Sequence, residues 1–470
     1  MTLHPTAPTA AAGPPARRAE SLRGLCGGAV HLPGDAGYDM ARAPWNVQTS
    51  DLPAAVAYPA FPDEVAAVLR AASAAGLQVA AQGTGHGAAA LGGLLSEAVL
   101  LRTSAMRELH VDAERRTARV GAGVLWGDLA AAAGEVGLAS LHPSAPDVGV
   151  VGYSLGGGIS WYGRAHGLQS SAVTAVELVL ADGTFVRATA DHDPDLFWAL
   201  RGGGAPLGVV TALEFDLFPL DTVVAGFLAW DLSLVEQVLP RWAAWTLDAP
   251  ETATTSFRLL RVPPMPQVPA ALHGRQLVVV DGAVLGDDAH AAEVLAPLRA
   301  VPPEIDTVAR VPAASLVRLH MDPEGPTPGY ASSALVRDLP DGAVSALIAA
   351  AGPGSGSQLD VAELRQLGGA LSRPDPDGGA LSFLDGAFLA LGLGAGPDPR
   401  TWPHVRADAS RLLQALEPWA SGRQYLPMLD DRTDTRKAFS PGVHARLSEV
   451  RRSVDPHGLF LAQHGVPAQR

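Results

Sequence analysis

Two glycine-rich stretches constrain what this chain can fold into more than any other feature of its sequence. The first, residues 83–87 (GTGHG), follows a short apolar segment at 77–81 that is typical of a buried strand. The second spans residues 141–158 (LHPSAPDVGVVGYSLGGG). Glycine adopts positive φ without strain and lets backbone N–H groups approach a phosphate closely. Two such loops, about 60 residues apart, predict one long dinucleotide held along its pyrophosphate.

The composition is that of a globular protein of two or three domains, taking roughly 150 residues per domain. Of 470 residues, 47% are hydrophobic and 17% are charged, with a net charge of -14. The acidic balance and the lack of a Lys/Arg stripe exclude a typical nucleic-acid binder. The single cysteine, Cys26, excludes an internal disulfide.

No segment of the sequence predicts a membrane span or an export signal. Apolar runs fall short of the ~20 residues that a transmembrane helix needs. Arg17-Arg18 is not followed by the apolar stretch of a twin-arginine signal. We therefore expect a cytoplasmic protein, a monomer or homodimer, with neither membrane nor nucleic acid as a partner.

Apolar periodicity predicts an α+β unit up to about residue 219. Pro62 near the start and Gly76 near the end delimit a helix over 61–76. Asp182-Gly183 between two strands predicts a hairpin with a type I′ turn. Further strands are expected at 99–102, 118–121, 175–181, 184–188 and 209–217, and helices at 125–136 and 193–200.

The pattern changes near residue 220. From there to about residue 422, strands such as 276–280 alternate with helices such as 287–295, and Pro/Gly-rich linkers interrupt them. This part is expected to form a second domain. A last helix is predicted at 443–453, and residues 1–20, rich in Pro, Ala and Thr, are expected to be a disordered tail.

One motif favours a different enzyme class. Residues 152–156 (GYSLG) match the G-x-S-x-G nucleophile elbow of serine hydrolases, with Ser154 as nucleophile and Asp182 and His192 as acid and base. The elbow needs a buried strand before it and a helix after it. Prolines and glycines interrupt the preceding stretch, and three glycines stand where the helix should begin. A loop hydroxyl is therefore the favoured interpretation of Ser154, with the hydrolase as the alternative.

Short segments in a particular order and spacing point to a known group of flavoproteins. They are residues 34–39 with 45–46, 83–87, 148–158, 194–204, 208–211, 446–447 and 455–460. Together they resemble the FAD-linked oxidases of the vanillyl-alcohol oxidase superfamily. The similarity is strongest to the berberine bridge enzyme-like branch and its bacterial, 6-hydroxynicotine oxidase-like members.

This resemblance implies an α+β fold with a two-subdomain FAD-binding domain of the PCMH type. A substrate domain, with an antiparallel sheet covered by helices, would be inserted into it. The FAD-binding domain would comprise residues 21–219, the substrate-binding domain 220–422, and residues 423–470 would return to the FAD-binding domain.

The resemblance also implies how FAD is held. His86 occupies the place of the histidine that relatives bond to the flavin 8α-methyl group. Some members add a second bond from a cysteine, but that position is Ala145 here, so a single covalent bond is expected. The other expected FAD-binding residues lie in or near the glycine loops: Gln82, Gly83, Thr84, Gly85, Gly87, Pro143, Ser144, Val148, Gly149, Gly152, Tyr153, Gly157, Gly158 and Val209.

The implied reaction is oxidation of a small organic substrate: an alcohol, an amine or a natural-product intermediate. A hydride would pass to flavin N5, and O2 would reoxidise the flavin to give H2O2. A general base should take a proton from the substrate, and Tyr425 is the best candidate, with packing against the ring as its alternative role. His320, Tyr330 and Asp385 are weaker candidates, chosen as titratable groups of the expected substrate domain.

Access of O2 to the flavin is expected to depend on Val148, three residues after Ala145. In the branch that the chain resembles, a small side chain at this position admits oxygen.

Three departures from the branch's pattern leave another function open. Tyr153 replaces a histidine, and Pro427 and Val443 replace asparagines, which allows a flavin-bearing cyclase or binding protein without net redox chemistry.

Overall fold

The computed structural model describes residues 13–204, 206–262, 272–396 and 398–466. Among these residues, no helix is both long enough and apolar enough to cross a membrane. The helices are α1 (Pro15–Arg18), α2 (Tyr38–Arg42), α3 (Pro62–Ala74), α4 (Trp126–Gly134), α5 (Val150–Leu155), α6 (Gly163–His166), α7 (Gln169–Ala172), α8 (Pro194–Leu200), α9 (Val235–Asp248), α10 (Asp288–Leu295), α11 (Asp341–Ala351), α12 (Trp402–Leu416) and α13 (Pro441–Val454).

The strands form separate sheets along the chain. They are β1 (Val30–His31), β2 (Ala55–Ala57), β3 (Gln78–Gln82), β4 (Ala98–Arg102), β5 (Leu109–Asp112), β6 (Thr117–Gly121), β7 (Leu138–Ala139), β8 (Val173–Val179), β9 (Phe185–Ala188), β10 (Val209–Asp216), β11 (Phe218–Pro219), β12 (Thr222–Asp231), β13 (Ala253–Arg261), β14 (Gln276–Val284), β15 (Ile305–Asp306), β16 (Ala309–Pro312), β17 (Gly329–Val336), β18 (Val361–Gln366), β19 (Phe388–Ala395) and β20 (Phe460–Leu461).

The first sheet carries the first glycine loop. Its strand order is β1-β2-β4-β3-β20, in which β2, β4, β3 and β20 run parallel and β1 is antiparallel at one edge. Phe460 and Leu461 of β20 pair with Val79 and Ala80 of β3. The strand that enters the loop is therefore completed by residues from the far end of the chain.

Helix α3 packs on the first core because its apolar residues recur at helical spacing. Val65, Val68 and Leu69 have no exposed surface, and full burial of each such side chain contributes about 1.5–3 kcal/mol. Pro62 occupies the first turn, where its missing N–H costs no hydrogen bond. Gly76, with φ +64°, follows the helix end. The helix expected at 61–76 is confirmed.

The second sheet is antiparallel, with the order β5-β6-β10-β8-β9. The predicted hairpin is present as β8 and β9, but the predicted turn type is wrong. Asp182 does not have the positive φ that a type I′ turn requires, whereas Gly183 has φ +86°. Leu180 N–H donates to the carbonyl of Thr184, leaving a three-residue loop with glycine in the left-handed position.

The third sheet has eight antiparallel strands drawn from residues 222–395. Its order is β15-β12-β14-β13-β18-β19-β17, with β16 also paired to β12. Side chains from one face, such as Phe257 and Leu364, share a core with Trp242 of α9, Leu347 of α11 and Leu412 of α12. This antiparallel sheet under helices, beside the mixed first half, confirms the expected α+β fold class.

Two local expectations need correction. Residues 13–20 are not a disordered tail: residues 15–18 form α1, and Ala19 is fully buried. Arg18 anchors this segment by donating to the carbonyls of Ala75 (3.0 Å) and Gly76 (2.7 Å). Residues 1–12 of the predicted tail lie outside the described residues.

The glycine-rich stretch at 141–158 is not a continuous loop. Residues 150–155 form α5, because Val150 and Val151 pack into the core of the first half. The second predicted phosphate loop is therefore a short helix flanked by glycines.

Candidate active site

The first glycine loop, residues 83–87, is held between the end of β3 and the segment that precedes β2. The N–H of Trp45 donates to the carbonyl of Thr84 at 2.9 Å. Gly85 has φ +91°, and a Cβ atom there would lie 2.7 Å from Cβ of Pro44. Glycine is therefore required at this position both by the backbone conformation and by the neighbouring chain.

The second loop ends in glycines that turn sharply after α5. Gly157 and Gly158 have φ +112° and +81°. A Cβ atom on Gly158 would lie 2.5 Å from the ring of Tyr153 and 2.8 Å from Cβ of Gln169. Gly152, on α5, has open space where a Cβ would stand, so a ligand can approach the backbone there.

The fold brings the two loops together. The main-chain oxygen of Asp147 lies 3.2 Å from Nε2 of His86, across 61 positions of sequence. A Cβ atom on Gly149 would lie 3.8 Å from Cγ2 of Thr84. The two loops therefore form one junction, called the loop junction below, made of residues 83–87 and 147–149.

Four other residues expected to bind FAD lie outside this junction. Gln82 and Pro143 are buried. The hydroxyl of Ser144 donates to Asp322 at 3.1 Å. Val209 is the first residue of β10 and has no exposed surface, so it acts through packing.

Buried polar atoms without a partner collect around the second loop. Buried polar groups in folded proteins are almost always hydrogen-bonded. Among the described residues, side chains with a buried polar atom that has no hydrogen-bond partner include Ser140, His142, Asp147, Tyr153, Ser154, Trp161, Gln169 and Ser170. A ligand rich in phosphate, hydroxyl and amide groups satisfies such a set, so the residues present fit FAD.

Two tyrosine side chains lie beside the terminal glycines of the second loop. Burial raises the pKa of Tyr153 well above its usual range and that of Tyr425 to about 12. The N–H of Gly158 donates to the Tyr425 hydroxyl at 3.0 Å. Tyr425 is therefore protonated at neutral pH with one lone pair occupied, which disfavours the general-base role and favours donation of a hydrogen bond.

The three weaker candidates for the general base lie in different surroundings. Nε2 of His320 lies 3.4 Å from Oδ2 of Asp281 in a buried position. The hydroxyl of Tyr330 donates to Asp431 at 2.6 Å. Asp385 is exposed. His320, Tyr330 and Asp385 therefore lie in different parts of the structure and do not form one cluster.

Apart from His320, which lies 3.4 Å from Asp281 and 3.9 Å from Glu363, sequence analysis missed a network of charges on the sheet face opposite the covering helices. Arg258 pairs with Asp281, and Nε of Arg365 lies 2.6 Å from Oε1 of Glu363. Ser256 donates to Glu363 at 2.9 Å. The only sequence signal for this network was the alternation of polar and apolar residues along β13 and β18. Alternate residues of a strand share one face of the sheet, so such a pattern indicates one polar face.

A small cavity lies between this network and the second loop. It is lined by Ser144, Ile159, Trp161, Ser256 and Arg365, among others. The lining combines hydroxyl and guanidinium donors with an indole and an aliphatic side chain. With a volume of about 20 Å³, the cavity can contact one polar group of a substrate but does not enclose a whole molecule.

The hydrolase alternative finds no support in the geometry. Ser154 lies inside α5 rather than at a strand-to-helix turn, is 1% exposed, and has no hydrogen-bond partner among the described residues. Asp182 accepts from Thr184 in the β8–β9 turn, and His192 lies 3.4 Å from Asp193 on the surface. The expected triad is therefore not assembled.

Ser154→Ala is expected to leave flavin content and turnover within about twofold of wild type, because it removes only one of the several polar groups that would contact FAD. Flavin absorbance per protein and the rate of flavin reduction check this expectation. Ester hydrolysis by a colourless wild-type protein, abolished in the variant, would contradict it.

Comparisons with known proteins connect the chain to FAD-linked enzymes. Residues 53–189 match the FAD binding domain family. Its relatives are FAD-linked oxidases and oxidoreductases, which confirms the resemblance found in the sequence. The chain is 34% identical to (R)-6-hydroxynicotine oxidase of Paenarthrobacter nicotinovorans over 213 residues, which cover 44% of this chain and 46% of that protein.

A second relative is xylooligosaccharide oxidase of Thermothelomyces thermophilus, 31% identical over 240 residues, or 49% of this chain and 48% of that protein. The chain thus spans about half the length of these relatives in the matched regions. FAD-linked oxidoreductase sorD of Penicillium rubens is 25% identical over 474 residues, covering 93% of this chain and 95% of that protein.

Solved structures show the same fold over nearly the whole chain. BBE-like 1 of Physcomitrella patens superimposes with a TM-score of 0.82 at 22% identity, covering 94% of this chain and 97% of that chain. 6-Hydroxy-D-nicotine oxidase from Arthrobacter nicotinovorans superimposes with a TM-score of 0.80 at 24% identity, covering 94% and 98%.

Proposed function

We propose that this chain is an FAD-dependent oxidase of a small organic substrate, such as an alcohol, an amine or a natural-product intermediate. The observation that carries the proposal is the loop junction, where His86 meets Asp147 beside a set of buried polar atoms without partners. The FAD-linked relatives support the same reaction class. Bound FAD would accept a hydride from a substrate carbon and pass two electrons to O2, giving H2O2.

The chain's own residues supply binding and orientation. The glycines of both loops offer backbone N–H groups to the pyrophosphate, and His86 would hold the flavin covalently. Ala145, where a cysteine would form a second bond, has a methyl group that cannot do so. A single bond is therefore part of the proposal.

The substrate would lie against the cavity beside the charged network. Arg365 lines this cavity and is 17% exposed. Apart from Glu363 it has no hydrogen-bond partner among the described residues, so it can donate to a polar group of the substrate. Tyr425, protonated and buried, can donate a second hydrogen bond.

A screen for oxygen consumption over alcohols, amines and oligosaccharides tests this proposal. A substrate that bleaches the flavin under anaerobic conditions and yields one H2O2 per turnover in air supports it. Bound flavin with no reduction by any substrate class would favour the cyclase or binding-protein alternative.

Val148→Leu is expected to slow reoxidation of reduced flavin about tenfold, equal to about 1.4 kcal/mol, and to spare flavin reduction. Val148 is partly buried in the loop junction, and one added methylene at van der Waals contact can close a path for O2. Stopped-flow mixing of reduced protein with oxygenated buffer measures the rate. The matched control is Val136→Leu, the same change at a side chain 46% exposed. Equal rates in both variants would place the oxygen path elsewhere.

A further inference from the structure

The indole of Trp161 brings an unused hydrogen-bond donor to the small cavity beside the charged network. Trp161 lines this cavity and is 7% exposed, and its Nε1 is buried with no hydrogen-bond partner among the described residues. The ring is held in place because it packs edge-on against His320, with ring centroids 4.8 Å apart. An indole nitrogen can only donate, and a buried donor without an acceptor costs free energy. An acceptor is therefore expected next to Nε1 of Trp161.

The guanidinium of Arg365 is a second donor on the same cavity. Its Nε donates to Oε1 of Glu363 at 2.6 Å, and its Nη2 donates to Oε2 at 3.4 Å. Nη1 makes no hydrogen bond within the part of the chain that the structure describes. A guanidinium, like an indole, has no lone pair to offer. Both groups therefore require an acceptor from a ligand rather than a donor.

The charges beside the cavity limit what this acceptor can be. The network consists of three carboxyl groups, two guanidinium groups and one imidazole: Asp281, Glu363, Asp322, Arg258, Arg365 and His320. Even with the imidazole protonated, these groups hold no excess positive charge. A carboxylate or phosphate would add a negative charge with no opposite charge left to pair with it, and burial of an unpaired charge is costly. An uncharged oxygen meets the same donors without that cost.

We propose that the substrate carries an uncharged acceptor oxygen, from a carbonyl or hydroxyl group, that enters this cavity and accepts from Nε1 of Trp161 and Nη1 of Arg365. This inference rests on the proposed function and names the substrate class of its site. A volume of about 20 Å³ admits roughly one water-sized group. The cavity therefore holds only that oxygen, and the carbon that is oxidised lies outside it. Trp161 and Arg365 determine specificity by binding one end of the substrate.

Three probes of nearly equal shape test this inference on the FAD-loaded wild-type protein. Acetophenone has an uncharged acceptor oxygen, α-methylstyrene has a CH2 group in its place, and benzoate has a charged carboxylate. None of the three is an alcohol or an amine, so each should bind without reducing the flavin. Titration followed by the visible absorbance of the bound flavin gives the dissociation constants. We expect acetophenone to bind at least about tenfold more tightly than either of the others. Any other order of affinities, or no binding of acetophenone, would overturn the proposal.

Trp161→Phe tests the indole N–H, since phenylalanine keeps an aromatic ring against His320 and removes the donor. The preference for acetophenone over α-methylstyrene should fall about threefold or more. This preference is a ratio of two affinities, so a partial loss of folded protein does not change it. Trp245→Phe is the matched control, because that indole donates to the carbonyl of Val294 at 2.8 Å and does not line the cavity. An unchanged preference in Trp161→Phe would refute the assignment of the donor.

Failure of this inference and failure of the proposed function give different results. If a substrate bleaches the flavin but acetophenone is not preferred, the acceptor site is wrong and the oxidase reaction stands. If acetophenone is preferred but no substrate class reduces the flavin, the oxidase reaction is wrong and the cavity still binds an uncharged oxygen.

Discussion

Replacement of His86 by alanine is expected to leave no flavin in acid-precipitated protein, while the native variant still binds FAD. The covalent bond is lost with the imidazole, but the backbone of both glycine loops and the buried polar atoms of the second loop are unchanged. Absorbance of pellet and supernatant after acid precipitation measures the two fractions. Wild-type protein should keep its yellow colour in the pellet.

His110→Ala is the matched control. His110 is exposed on β5, so this substitution removes the same type of side chain from the protein surface. Yellow pellets from His86→Ala would show that another residue holds the flavin. A wild-type pellet without colour would show that the flavin is held by non-covalent contacts alone.

Asp281→Ala is expected to lower the free energy of unfolding by about 3–5 kcal/mol, because it leaves the Arg258 guanidinium buried without its partner. The two side chains are 0% and 4% exposed. Denaturant unfolding followed by tryptophan fluorescence suits the measurement, since Trp230 and Trp242 are fully buried in the same half of the protein.

Asp306→Ala is the control for this prediction. Asp306 pairs with Arg299 at 2.8 Å, and about a third of each side chain is exposed, so its loss should cost only about 0–1 kcal/mol. Equal destabilisation by Asp281→Ala and Asp306→Ala would show that the buried Arg258–Asp281 pair contributes no more to stability than a partly exposed pair.

The Asp281 carboxyl group also makes the free energy of unfolding depend on pH. Burial raises the pKa of Asp281, but Arg258 and His320 outweigh it and hold the pKa at about 2, against about 3.9 in an unfolded chain. Because the folded value is the lower one, the contribution is complete above about pH 4 and is lost as pH falls towards 2. Asp281→Asn should lack this component of acid unfolding, and an acid profile equal to that of wild type would assign it to other groups.

Local sequence patterns predicted the elements that carry the loops. Pro62 and Gly76 delimit α3 because each has a backbone preference that acts within one turn. The glycines at 83–87 and 156–158 predicted tight turns for the same reason, and Gly85, Gly157 and Gly158 have positive φ. The two glycine loops were expected to share one ligand, and the fold brings them together at His86 and Asp147.

Contacts between residues far apart in the sequence could not be predicted from such local patterns. Trp45, Asp147 and Gly325 come from three segments of the chain, and only tertiary packing brings them to one hydrogen-bonded site. The polar face of β13 was visible as an alternation, but a polar face is usually solvated. Here it is buried because the first half of the protein covers it, as Trp161 does over His320 with ring centroids 4.8 Å apart.

The pairing of β3 with β20 has a consequence for the synthesis of the protein. The side chain of Gln78, the first residue of β3, donates to the carbonyl of Gly458, two residues before β20, across 380 positions of sequence. At roughly 5–20 residues per second, about 20–75 s pass between the emergence of these two segments from a ribosome. Throughout that interval one edge of β3 lacks its neighbour, and an open strand edge is a template for pairing with other chains. The sheet that carries the first loop is thus completed after translation of nearly the whole sequence, so this loop reaches its final surroundings late in the maturation of the chain.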